Sequence, residues 1–345
     1  MIHKMVIWSI NFIYLYPIFY KNIKYNLIIE TLLIFGELFL RIAILGAGAM
    51  GLLFGGLLKK TGNNIKFIVR DKSKKKIINE KGITLNVDDK THIVYPEAIL
   101  SKEAKEFDII IIFTKTTHTF EALNSVKHII NHKTFLMSLQ NGLGNLEKLS
   151  AFSNSSKIIY GTTMAPADLI SVREISSSGS HKSQFKLAKG ENIQFVKEVA
   201  SIFNSAQLNS LINEDVENLI WSKVAFNTAM NTICALLEIT PSSIEKDPKL
   251  KLFAIEVAKE TCRVAKGSNI EINEDEVLKK IELSCKEHGD HKPSMLQDIL
   301  LKKRTEIDSL NGEVKKIGSL RNIETPLNSS LFNLIKAKEN KFSLN

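Results

Sequence analysis

The feature that most constrains this chain is a short apolar run, Ile42 to Leu45, leading directly into Gly46-Ala47-Gly48-Ala49-Met50-Gly51. A helix-like stretch, Leu52 to Lys60, follows. Strand, glycine turn and helix in that order form the setting in which three glycines spaced G-x-G-x-x-G cradle a dinucleotide. Gly46 serves the tight turn, Gly48 lets a pyrophosphate approach the backbone, and Gly51 lets helix and strand pack closely. The helix N-terminus faces the anion. The bland alternative is a glycine-rich βα turn that binds nothing.

The next apolar run, Ile65 to Val69, reads as the second strand and ends at Arg70. An acid at this place suits a free ribose 2′-hydroxyl, whereas an arginine suits a 2′-phosphate. Arg70 therefore predicts NADP(H). Asp71 follows at once and leaves open a surface Arg70–Asp71 pair, which would contribute little.

With 345 residues the chain has room for about two domains. The net charge is +9. It is spread over scattered lysines with no dense basic run interleaved with aromatics, so nucleic-acid binding is not expected. Cys234, Cys262 and Cys285 lack CxxC spacing and read as reduced, structural thiols of a cytoplasmic protein. His288, Asp290 and His291 lie in a glycine-containing loop without further ligand spacing, and no metal site is expected.

Residues 1–39 are an apolar extension. The uncharged run from Met5 to Tyr20 is interrupted by Pro17 and is shorter than the roughly 20 residues of a spanning helix. A signal peptide would need a small-residue cleavage site, and none is obvious. The preferred expectation is a mis-assigned start. Gly36-Glu37 can be encoded by a ribosome-binding-like sequence and Leu40 by an alternative start codon, so translation would begin at position 40. A membrane anchor is the alternative.

From 40 to 211 apolar runs alternate with helical stretches. Asp108 to Phe113 is nearly continuous and β-branched, as befits a strand buried on both faces. Thr134 to Leu139 and Lys157 to Thr162 read as further strands, Gly82 to Val87 and Thr91 to Tyr95 as short edge strands, and Ser176 to Ser180 as a loop. The pattern predicts a Rossmann-like, doubly wound parallel sheet. From 212 to 340 helical patterns take over, at Asp215–Leu237, Pro248–Gly267, Glu274–Glu287, Ser294–Leu320 and Ser329–Lys338. The fold class expected is thus α/β followed by an all-α domain, with the ligand in the cleft between them.

Within the run Leu219 to Leu237, Lys223 is the only formal charge, and Asn227 and Asn231 follow at i+4 and i+8. The three form one stripe on a helix. Buried polar groups need partners, and a polar ligand in a cleft supplies them. A structural lysine paired with a carboxylate is the competing reading. A lysine so placed suits the donation of a proton to a carbonyl oxygen that accepts hydride. Ser294 follows Pro293 at a helix start, where it either caps the helix or receives a carboxylate. Glu306 is expected on the amphipathic 294–320 helix with Ile299, Ile307, Leu310 and Val314, where most glutamates are simply solvated.

These elements together resemble the ketopantoate reductases (2-dehydropantoate 2-reductases). The resemblance rests on Gly46–Gly51, Phe113-Thr-Lys115, Asn141-Gly-Leu-Gly144, Gly161-Thr-Thr163, Trp221 to Asn231, Ser294-Met-Leu-Gln-Asp298 and Thr305 to Gly312, and covers 40–340. It implies a 6-phosphogluconate-dehydrogenase-like pair of domains and NADPH-dependent reduction of 2-dehydropantoate to pantoate, on the route to pantothenate and coenzyme A. By position it implies Lys223 as proton donor and Asn227, Asn231 and Ser294 as substrate contacts. It implies Glu306 as the acid that organises the nicotinamide ribose and the lysine. Arg70, Lys115, Asn141 and Ala167 would be cofactor contacts alongside Gly46, Ala47, Gly48, Ala49, Met50 and Gly51.

Two departures from the family pattern concern the pocket for the substrate's side chain. His291-Lys292-Pro293 replaces an asparagine before the serine, and Thr232 and Pro241 stand where Pro and Asn are usual. The alternatives are a reductase of another 2-oxo acid and a non-catalytic NADP(H)-binding paralogue. A small-molecule partner and a monomer or homodimer are expected.

Overall fold

The computed structural model describes residues 40–287 and 291–343. The apolar extension, His288 and Asp290 lie outside these residues. The N-terminal half is built on an eight-stranded sheet in the order β12-β11-β8-β7-β6-β1-β2-β5. Its strands are β1 (Ile42–Leu45), β2 (Ile65–Val69), β5 (Glu97–Leu100), β6 (Ile109–Ile112), β7 (Phe135–Ser138), β8 (Ile158–Thr163), β11 (Ser183–Leu187) and β12 (Ser210–Ile212). All neighbours run parallel except β11, which is antiparallel to β8. The fully apolar β1 and β6 lie at its centre, in register Ile42↔Ile109, and every one of their residues is buried. That is why their sequences run without alternation.

The expected edge strands do not lie at the edge of this sheet. β3 (Ile83–Val87) and β4 (Lys90–Val94) pair with each other and with β10 (Glu174–Ser177) and β9 (Asp168–Ser171) in a separate four-stranded sheet. β10 reaches into the Ser176–Ser180 segment expected as a loop, and the turn comes at Gly179. β9 (DLIS) and β10 (EISS) are four residues each and carry no apolar alternation to announce themselves.

Helix α1 (Ala49–Lys60) packs on β1, with α2 (Lys72–Lys81), α3 (Thr119–Ser125), α4 (Asn145–Ser150) and α5 (Ile193–Ser205) completing this half. Gly46 has φ +106°, and a Cβ on Gly51 would stand 2.0 Å from the Gly46 carbonyl oxygen. The turn therefore requires glycine at both places. Beyond Gly48 there is open space, as close approach of a ligand to backbone demands.

The second half is helical: α6 (Val216–Leu237), α7 (Pro241–Lys246), α8 (Pro248–Lys266), α9 (Glu274–Glu287), α10 (Ser294–Leu300), α11 (Glu313–Leu320) and α12 (Pro326–Asn340). Its core centres on α6 and α8, with Val224, Met230, Ile233, Val257 and Val264 buried. The thiols of Cys234, Cys262 and Cys285 are free and buried. Burial pushes those of Cys234 and Cys262 up to about 12, so they are chemically quiet.

The single helix expected over 294–320 is broken. α10 ends at Leu300, Lys302 takes φ +52°, and the Lys303 amide donates to the Asp298 carbonyl. A π-helical turn, Asp308–Gly312, then leads into α11. Glu306 consequently stands in an irregular segment, not on a helix face. Apolar spacing at Ile299, Ile307, Leu310 and Val314 persists through the break because all four still face the same core.

Candidate functional site

The carboxyl ends of β1, β2 and β6 open on a pocket of about 370 Å³. β1 lies between β2 and β6, where the strand order reverses, which is where open α/β sheets hold ligands. Gly46, Ala47 and Gly48 form its floor, and Arg70, Lys74, Lys115 and His118 line it. The alternative left open by the sequence, an Arg70–Asp71 pair, does not form. Asp71 instead caps α2, accepting from the Ser73 amide at 2.7 Å, which holds its carboxyl below the usual range. Arg70 extends outward with its side chain 82% exposed, 3.8 Å from Glu121. Lys74 was not singled out from the sequence. One turn into α2, its ammonium donates to the Ala47 carbonyl of the glycine turn, and burial depresses its pKa.

Lys115 follows β6 and reaches the helical half. Its Nζ lies 2.5 Å from Asp298 Oδ1 and 3.1 Å from the Arg304 carbonyl oxygen. Beside it the Thr116 amide donates to Glu306 Oε1 at 3.1 Å, and the Leu143 amide donates to the Ser309 carbonyl at 2.8 Å. These contacts stitch the loops at the carboxyl ends of the strands to the segment around the π-helical turn.

Between them lies a crevice of about 10 Å³ bounded by Asn141, Asn231, Ser294, Met295, Asp298, Glu306 and Leu310. That is room for about one water, so a larger ligand requires the walls to part. Asn227 and Asn231 are buried on α6. Ser294 is exposed at the crevice and makes no cap bond, and the N-cap position is held by Pro293.

Lys223 is half-buried on α6, and its Nζ donates to the Thr163 carbonyl at the end of β8, 2.6 Å away. It has no ion-pair partner among the described residues, against the reading of a structural salt bridge. Burial lowers its pKa to about 8, the nearby Lys280 charge pushes the same way, and Glu306 opposes both. An ammonium whose proton is held weakly near neutrality can both hydrogen-bond an oxygen and surrender a proton to it.

The structure thus gathers Asn141, Asn231, Ser294 and Glu306 around one crevice, and Arg70, Lys115 and the glycine turn around one pocket. Ala167 lines neither. It precedes β9 next to Asp168, which accepts from Gln297 of α10 at 3.2 Å. Besides Lys74, sequence reasoning missed three residues that tertiary packing brings in. Asn311 of the π-helical turn is fully buried. It donates to the Thr228 carbonyl at 3.1 Å and to Asn328 at 2.9 Å, and accepts from Thr232 at 2.8 Å. Glu339 of α12 accepts from both the amide and the hydroxyl of Thr305, at 2.7 and 2.6 Å. Lys280 of α9 is the third. Among the described residues no His/Cys/Asp/Glu group could hold a metal ion, and no helix is long and apolar enough to cross a membrane.

Two family models match the chain. Residues 42–192 match "Ketopantoate reductase PanE/ApbA", and residues 215–339 match "Ketopantoate reductase PanE/ApbA C terminal". The chain is 36% identical over 303 residues to 2-dehydropantoate 2-reductase of Pyrococcus abyssi, covering 87% of this chain and 98% of that one. It is 30% identical over 298 residues to the same enzyme of Streptococcus pyogenes serotype M1, covering 86% and 97%. Among solved structures it resembles D-mandelate dehydrogenase with NADH and anilino(oxo)acetate, with TM-score 0.83, 28% identity and coverage of 88% and 99%. The 2-dehydropantoate 2-reductase of Geobacter metallireducens shares the fold, with TM-score 0.81, 23% identity and coverage of 86% and 99%.

Proposed function

The chain belongs to the ketopantoate reductase family, and from that premise we propose that it reduces 2-dehydropantoate to pantoate with NADPH, Lys223 donating the proton. The observation that carries the reading is the Lys223 ammonium. It is half-buried, tied only to a backbone carbonyl, and depressed to about 8, on the helix whose stripe continues through Asn227 to the crevice residue Asn231.

The fit of a dinucleotide is supported by the floor of the large pocket. Gly46 and Gly51 are obligatory for the turn, and space is left open over Gly48. When bound, the reduced nicotinamide supplies a hydride to the substrate's ketone carbon. The chain's own residues do the rest. Arg70 and Lys74 present two cations at the end of β2 and the start of α2, which suits a 2′-phosphate and favours NADPH over NADH. Lys115 adds a third, shared with Asp298. Asn141 reaches the crevice from the nucleotide-binding half, opposite Asn231 and Ser294, so a substrate held there would touch both halves.

As negative charge develops on the ketone oxygen, the Lys223 ammonium stabilises it and then yields its proton. Glu306, held by the Thr116 amide, keeps a negative charge near Lys223 that favours the ammonium before transfer. Asn227, Asn231 and Ser294 supply amide and hydroxyl groups to orient the 2-oxo acid.

A second reading is a reductase of another 2-oxo acid. It is favoured by the likeness to D-mandelate dehydrogenase and by the unusual His291-Lys292-Pro293 stretch. Steady-state NADPH oxidation by the purified protein across a panel of 2-oxo acids tests both. The first reading expects the highest kcat/KM with 2-dehydropantoate. A better substrate with an unrelated side chain would replace it with the second.

A further inference from the structure

Lys280 is a cation without an evident reason to be where it is. It lies on α9, which packs against α6, and its Nζ stands 5.3 Å from the centre of the Phe226 ring. Phe226 is three residues after Lys223, so the two ammonium groups face one region of α6. Lys280 is half-buried, and desolvation depresses its pKa. It forms no ion pair among the described residues. A ring centre at that distance offers a cation a weaker partner than a carboxylate would. A partly desolvated charge calls for an opposite one.

The charges near the reaction end do not cancel. Lys115 and Asp298 neutralise each other at 2.5 Å. Lys223, beside Lys280, has Glu306 as its nearby carboxylate, and Glu306 also faces Lys148, so cations are in excess here. A 2-oxo acid brings one negative charge, on the carbon next to its ketone. Lys223 already gives one N–H to Thr163 and is needed at the ketone oxygen, so it cannot be the carboxylate's main partner. The helix starting at Ser294 has only seven residues and no capping side chain, which makes it a weak substitute for a cation.

We propose that Lys280 is a specificity residue of the reaction pocket, receiving the carboxylate of the 2-oxo acid whose ketone faces Lys223. This rests on the reading of the chain as a 2-oxo-acid reductase and adds the group that selects an acid over a neutral ketone. It makes Lys280 a binding residue that discriminates by charge, with the proton still coming from Lys223.

The test compares the acid 2-dehydropantoate with its neutral methyl ester, each with saturating NADPH, in wild type, Lys280→Met, Lys280→Gln and Lys280→Arg. Wild type is expected to prefer the acid. Lys280→Met and Lys280→Gln should raise KM for the acid roughly ten- to a hundredfold, the range for a hydrogen bond to a charged group. At pH 6.5, where Lys223 holds its proton with or without the Lys280 charge, turnover of the ester and affinity for NADPH should hardly change, so the acid-to-ester ratio of kcat/KM collapses. Lys280→Arg should restore most of the ratio. A wild-type ratio in a folded Lys280→Met or Lys280→Gln overturns the assignment, and so does an equal loss for acid and ester. Failure of the wild type to oxidise NADPH with any 2-oxo acid would instead overturn the reductase reading beneath it.

Discussion

Replacing Glu339 with leucine should damage catalysis from a helix that lines neither cavity. The Glu339 carboxylate is only 6% exposed. Its Oε1 accepts the amide of Thr305 at 2.7 Å and the hydroxyl at 2.6 Å, and the Thr305 hydroxyl oxygen in turn accepts the Ile307 amide at 3.2 Å. Thr305 and Ile307 flank Glu306, so this small network fixes the backbone from which Glu306 projects. Leucine leaves two buried donors unsatisfied at about 1–3 kcal/mol each, or about 2–6 kcal/mol together. Lys336 also loses a partner, yet keeps Asp308 at 3.1 Å, and a pair this exposed contributes little. A carboxylate displaced by about 1 Å from its working place costs on the order of a hundredfold in rate. The expected result is a lower melting temperature together with a fall of that size in kcat/KM. Glu339→Gln keeps a carbonyl acceptor and should lose far less. The assay is a double-mutant cycle with Glu306→Gln, scored by kcat/KM on folded protein. Strong non-additivity is expected, because both changes act through one carboxylate. A melting point that falls while kcat/KM holds, or additive losses, would refute the argument and leave Glu339 a stabilising residue only.

Two further outcomes follow from the same geometry. Arg70→Ala and Lys74→Ala should each raise KM for NADPH at least about tenfold while changing KM for NADH much less, since a hydrogen bond to a charged group is at stake; equal losses would remove the 2′-phosphate assignment. The pH profile of kcat/KM should carry an alkaline limb near 8, because Lys223 holds its proton below that value and has lost it above. Removing the Lys280 charge should move the limb upward, and a profile flat to pH 10 would contradict the assignment of the acid.

What the sequence disclosed was what local rules govern. The β1–turn–α1 unit is legible because its three glycines are demanded by a single turn, and the boundaries of α6 because Lys223, Asn227 and Asn231 interrupt an otherwise apolar run at helical spacing. The break after Leu300 was not legible, since apolar residues on both sides of it face the same core and mimic a continuous period. Asp71 beside Arg70 left an ion pair open as an alternative, whereas the nearest unsatisfied donors were the first amides of α2. Lys74, Lys280 and Glu339 sit on helices of ordinary composition. They join the site only through the packing of α2 on the glycine turn, of α9 on α6, and of α12 on the Thr305 segment. No spacing rule spans the 34 residues between Thr305 and Glu339.

Reduction of the ketone turns on one proton. The most direct measurement is kcat for NADPH-dependent reduction of 2-dehydropantoate by Lys223→Ala, with NADPH affinity read in parallel. A loss of roughly two to four orders of magnitude in kcat is expected for a missing general acid, with NADPH bound nearly as in the wild type. Turnover retained within a few-fold would contradict the central claim.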